Sequence, residues 1–199
     1  MIQILISGGW MMIPIVLCSI VAVTVIIERF WFFRRNRFHQ GADQMLALIQ
    51  QGKFTEALSL GGRNSTLLLR VLAAGVHTRN SEPEKAMESA GVAEVSALKR
   101  GLMTLDTIIT LAPLLGLLGT IIGMIDSFGI MAESGIGQPH AVTGGVAKAL
   151  ICTAAGIIVA VVSLVPYNYF LSRIERYTEL IEEYATRAES VFHKATEKS

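Results

Sequence analysis

Three stretches of the chain are apolar for long enough to cross a bilayer, and two of them carry polar residues at matched depths. A hydrocarbon layer of about 30 Å takes roughly 20 helical residues. Trp10–Phe33, Leu102–Met131 and Ala141–Leu171 all exceed that length. The first is interrupted only by Glu28 and Arg29 near its end, and Trp10 and Trp31 bracket it. At 1.5 Å per residue the two indoles lie about 31 Å apart, one at each interface, where amphipathic rings prefer to sit. The residues before Trp10 carry no positive charge, unlike the basic start of a secretory signal, so this segment reads as a retained transmembrane helix. Pro14 is tolerated in its first turn.

Between the first and second spans the apolar positions change to helical spacing. Met45, Leu46 and Ile49 form one short stripe; Phe54, Ala57 and Leu58 follow the Gly52 break; Leu67, Leu68, Val71 and Leu72 follow the break at Gly61 and Gly62. From Pro83, a first-turn proline, a stripe runs through Met87, Gly91, Val95, Leu98, Leu102 and Leu105 at intervals of three and four. That stripe enters the second span without interruption and predicts one helix through both. Below the third span, Ile174, Tyr177, Ile181, Tyr184, Ala188 and Val191 make a heptad-like seam. The predicted fold is an all-α membrane protein with three transmembrane helices and long cytoplasmic helical extensions.

Charge orients it. Of seventeen Lys and Arg residues, ten lie in Arg34–Arg100 and five in Ser172–Ser199, with Arg29 and Lys148 inside the spans. By the positive-inside rule the N-terminus is outside and the C-terminus inside. The expected organisation is an external segment and first span over 1–33, a cytoplasmic helical region over 34–101 and a second span over 102–131. A short external loop over 132–140, a third span over 141–171 and a cytoplasmic helix over 172–199 complete it. A net charge of +1 argues against a nucleic-acid partner. No phosphate-binding loop or nucleophile elbow occurs, and His39, His77, His140 and His193 lack ligand spacing, so neither an enzyme nor a metal or cofactor is expected. Cys18 and Cys152 fall in apolar segments and read as small packing residues.

The polar residues inside the spans are the candidate chemistry. Asp106, Thr110, Pro113, Thr120 and Ser127 fall near one face of the second span. Taken singly, such hydroxyls more often bond their own backbone and pack against a neighbour. In the third span Gly145, Ala149, Thr153, Gly156 and Ala160 form a ridge of small residues that lets another backbone approach. Counting inward at 1.5 Å per residue, Thr120 lies about 18 Å below the 132–140 loop and Thr153 about 15 Å below Thr143, a shared layer near the membrane middle. The same count puts Asp126 and Lys148 each roughly 8–9 Å deep, as a candidate ion pair, since ionisable residues within a span usually face a cavity or one another.

The run A-P-L-L-G-L-L-G-T-I-I-G-M, Ala112 to Met124, followed by G-V-A-K-A-L-I-C-T-A-A-G, Gly145 to Gly156, resembles the signature region of the MotA/TolQ/ExbB proton-channel family. Pro14 to Arg29 resembles its first span, and the three-span plan is similar to the ExbB/TolQ branch. The resemblance implies a homo-pentamer in the bacterial inner membrane around a dimer of a one-span ExbD/TolR-like partner, with a TonB/TolA-like protein beyond. It implies that Thr120 and Thr153 line an ion route beside a membrane aspartate of that partner. Pro113, Gly116, Gly119, Gly123, Gly145, Ala149 and Gly156 are then the helix-packing positions. Many relatives have a glutamate where this chain has Lys148, so that glutamate's role is not carried over. Proton or sodium as the ion, and envelope transport, envelope maintenance or motility as the work, stay open. A non-conducting scaffold is the alternative.

Overall fold

The computed structural model describes residues 9–35, 41–62, 66–134 and 139–196. Among them are seven helices and no strand: α1 (Met12–Arg35), α2 (Ala42–Gln50), α3 (Phe54–Leu60), α4 (Leu67–His77), α5 (Pro83–Lys99), α6 (Leu102–Ser134) and α7 (Pro139–Thr196). The uncharged start of the chain and the centre of the 132–140 loop, both assigned to the outside from sequence, lie outside the described residues. The chain divides into two compact units, Met1–Arg29 with Gly101–Tyr169, and Phe30–Arg100 with Phe170–Ser199.

The first unit is built from the apolar parts of α1, α6 and α7. Met11, Met12 and Ile15 pack with Cys152 of α7, and Ala22 packs with Leu105, Ile108 and Ala112 of α6. Little of the apolar surface is used in this way. In the most apolar window of each helix only 17, 22 and 28 % of the residues are buried, in α1, α6 and α7 respectively. Ile20, Leu114, Ile121, Ile125, Ile158 and Val165 all face outward. An apolar surface this continuous is stable against lipid or further protein, not against water. These are three helices with the length and composition to span a membrane. α7 has 58 residues and rises about 87 Å, far more than one hydrocarbon layer.

The uninterrupted helix expected from Pro83 into the second span does not form. α5 ends at Lys99, Arg100 takes an extended conformation (φ −56°, ψ 134°), and Gly101 has φ +81° before α6 begins. A left-handed residue ends a helix with little cost only when it lacks a Cβ. Space adds a second reason, because a Cβ on Gly101 would meet Arg29 Nε at 3.1 Å. The apolar stripe is blind to such a break, since its spacing continues on both sides of one residue.

The second unit has its own buried apolar core. Met45, Ile49, Val71, Leu72, Val76, Met87 and Leu98 are almost completely buried, as are Phe170 and Ile174. The seam of α7 runs through Phe170, Ile174, Tyr177, Ile181, Tyr184 and Ala188 and ends on Phe192, whereas sequence spacing pointed to Val191. Phe33 stacks on Phe170 at 5.4 Å and on Tyr177 at 6.3 Å. Gly91 of α5 lies against Ile181, and Arg70 of α4 grips both carboxylate oxygens of Glu94 at 2.6 Å. That hydrogen bond holds the guanidinium pKa above its usual value. The Tyr184 hydroxyl donates to the Asp43 carboxylate and ties α7 to α2.

Candidate intramembrane site

A strip of small residues brings α6 and α7 close together. A Cβ placed on Gly116 would lie 2.9 Å from both the Cys152 carbonyl oxygen and Thr153 Cα; one on Gly119 would lie 2.8 Å from Cys152 Cβ; one on Gly123, 2.9 Å from Ala149 Cβ. A Cβ on Gly156 would run into the Ala112 carbonyl, and one on Gly145 into the Ser127 hydroxyl. Ala149 and Cys152 are buried in the same strip. The two backbones are therefore as close as glycine permits, the arrangement that dispersion favours where lipid offers no hydrophobic drive.

Close approach lets one helix bond the other's backbone. Thr153 Oγ1 donates to the Gly116 carbonyl at 3.0 Å. In α-helical geometry that carbonyl also accepts the N–H of Thr120, so it stands between the two threonines. Thr120 itself donates to Leu117 O at 2.6 Å, within its own helix. Both threonines are half-buried. Each hydroxyl gives its proton to a carbonyl and keeps oxygen lone pairs for water or a cation. Pro113, one turn before Leu117, has no N–H to offer Ile109, which leaves another carbonyl on this stretch of α6 without its helical donor.

The other polar residues behave as helix hydroxyls usually do. Thr110 donates to Thr107 O at 2.9 Å and Ser127 to Gly123 O at 2.6 Å. Ser127 is buried, while Asp106 and Thr110 are exposed, so the polar stripe of the second span does not keep to one environment. Asp126 and Lys148 adjoin the packed residues Ser127 and Ala149, but their own side chains point away from that contact. Both are exposed, and no salt bridge within the chain joins them. Sequence reasoning placed the threonines by depth and overlooked the Gly116 carbonyl as their link. The available signal was that Gly116 is the small residue opposite Thr153 in an antiparallel pair.

The fold and this seam define a helical membrane protein in which a threonine hydroxyl bonds a backbone carbonyl across two close-packed helices. Residues 63–183 match the MotA/TolQ/ExbB proton channel family, and the chain belongs to that family. A biopolymer transport protein of Synechocystis sp. designated ExbB-like 3 is 33% identical over 195 residues, covering 94% of this chain and 93% of its own. ExbB-like 1 of the same organism is 35% identical over 83% of this chain and 68% of its own. The Tol-Pal system protein TolQ of Pseudomonas aeruginosa is 30% identical over 58% of this chain and 50% of its own. These relatives set the chain in the ExbB/TolQ branch of a family of channel and transport subunits.

Proposed function

We propose that the chain is the multi-span subunit of a proton-driven motor of the bacterial inner membrane, converting the ion gradient into mechanical work for envelope transport. Five copies surround two copies of a one-span ExbD/TolR-like partner, whose membrane aspartate carries the ion past Thr120 and Thr153; a TonB/TolA-like protein receives the work. The observation that carries this reading is the Thr153–Gly116 bond, with Thr120 one turn away. It brings two hydroxyls and a carbonyl oxygen together on facing stretches of α6 and α7 that are mainly apolar, where an unsatisfied polar group is costly. In this assembly the N-terminus is outside, the second unit is cytoplasmic, and the outward apolar faces of α6 and α7 meet neighbouring copies or lipid.

The test is co-expression with a one-span ExbD/TolR-like protein, native mass spectrometry of the complex, and proton uptake into liposomes reported by a pH-sensitive dye. A pentamer with two partner chains is expected. Thr120→Val and Thr153→Val keep side-chain size but remove a hydroxyl, and each should lower flux at least about tenfold while the complex stays assembled. A stable monomer, or no flux in the unmodified complex, refutes the motor, and full flux in both variants refutes the threonine route. The scaffold reading draws support from Thr110, Thr120 and Ser127, whose hydroxyls bond their own helix, and it expects assembly with partner binding but no flux in the unmodified protein.

A further inference from the structure

In the second unit, the start of α5 and the end of α7 bring three metal-ligating side chains to one point. His193 Nε2 lies 2.8 Å from a Glu84 carboxylate oxygen and 3.7 Å from Glu189 Oε1. One ligand atom from each of the three residues falls within 4.8 Å of the others. Glu189 and His193 are four residues apart on α7, so they project from the same face one turn apart, the spacing by which a helix offers two ligands to one ion. Glu84 comes from a different element, held there because Pro83 opens α5 and fixes its first turn.

The separations suit a small tetrahedral ion. Bonds of about 2.0–2.1 Å at tetrahedral angles put neighbouring ligand atoms about 3.4 Å apart, and the two His193 distances fall on either side of that value. Charge agrees with geometry. Glu84 and Glu189 each bring a carboxylate to the cluster, and two ionised carboxylates around one neutral imidazole offset a divalent charge. Among the described residues, Lys85 pairs with Glu82 at 2.6 Å, and Arg79 sits 4.8 Å above the Phe54 ring. A cavity of about 520 Å³, lined by Phe54, Arg79, Asn80 and Phe192, opens beside Glu84 and His193, with room for water at a fourth position.

We propose that Glu84, Glu189 and His193 form a zinc-binding site that clasps the end of α7 to the start of α5. Imidazole nitrogen with carboxylate oxygen is a donor set that zinc accepts readily. The clasp closes a connection between segments 105 residues apart, Glu84 and Glu189, so the metal fixes the last turns of the long helix. It adds a ligand-dependent constraint to a region that the intramembrane site does not use.

The full chain, in detergent and with any affinity-tag histidines removed, is titrated with zinc chloride by isothermal titration calorimetry. Saturable binding of one ion per chain is expected, with proton release and weaker binding as pH falls through the histidine range. His193→Ala and Glu84→Gln each alter an exposed side chain and should weaken binding at least about tenfold, with the metal-free melting temperature little changed. His77→Ala, outside the cluster, should bind as the unmodified chain does. Cobalt absorption in the visible range provides a second readout of a four-coordinate nitrogen–oxygen site. Absence of saturable uptake, or uptake that survives both His193→Ala and Glu84→Gln, overturns the proposal.

Discussion

Replacing Gly116 by alanine tests whether glycine at the α6–α7 contact is there for proximity. The added Cβ would sit 2.9 Å from the Cys152 carbonyl oxygen and from Thr153 Cα. Both are backbone atoms of a helix, so no side chain can swing aside. Reaching even the near edge of ordinary contact, 3.4 Å, requires the helices to part by about 0.5 Å (3.4 − 2.9). Overpacking of this kind costs roughly 1–3 kcal/mol. Alanine's helix preference over glycine returns about 0.8–1 kcal/mol, leaving a net loss of about 1 kcal/mol. The same parting stretches the Thr153–Gly116 bond from 3.0 Å to about 3.5 Å, the limit of a hydrogen bond. Thr153→Val alone should therefore cost about 0.6 kcal/mol, the average for an interhelical bond in a membrane, because Gly116 O keeps the Thr120 N–H. In the alanine background it should cost less, since the bond is already weakened. The assay is a double-mutant cycle on equilibrium unfolding in mixed micelles. An alanine variant as stable as the original, or strictly additive losses, would refute the argument.

Three further outcomes are expected. Gly101→Ala forces a left-handed residue to carry a Cβ and crowds Arg29, so it should lower stability by roughly 1–2 kcal/mol in the same unfolding assay. Tyr184→Phe removes the hydroxyl bonded to Asp43 and should cost about 1 kcal/mol at neutral pH. The tyrosine's pKa is raised, first by that hydrogen bond and then by burial. Its contribution is thus complete below the unfolded value of about 10 and fades as pH rises through the raised folded value, so the variant and the original should converge only in strong alkali. Finally, if Asp126 and Lys148 meet across copies of the chain, Asp126→Asn and Lys148→Met should each lower the temperature at which the complex dissociates, and the double variant should recover part of the loss, whereas additive shifts in native mass spectra would reject the pairing.

Much of the architecture was legible because it depends on composition and local spacing. The three apolar stretches exceed the hydrocarbon thickness whatever packs beside them, and the seam from Ile174 to Ala188 follows from intervals of three and four. Glycine and alanine at helical spacing likewise announce a close contact, and Gly123, Gly145, Ala149 and Gly156 do meet across α6 and α7. Tertiary structure decided what depends on register and on single dihedrals. Gly101 breaks the helix because one φ of +81° and the bulk of Arg29 intervene where the apolar stripe runs on unchanged. Thr153 finds the Gly116 carbonyl, 37 positions away, only through the relative sliding of two helices. The side chains of Asp126 and Lys148 share a depth but leave the helix contact in directions that a depth count does not contain. Glu84 joins Glu189 and His193 for the same reason, since periodicity describes one helix face while ligand geometry requires knowing which faces meet.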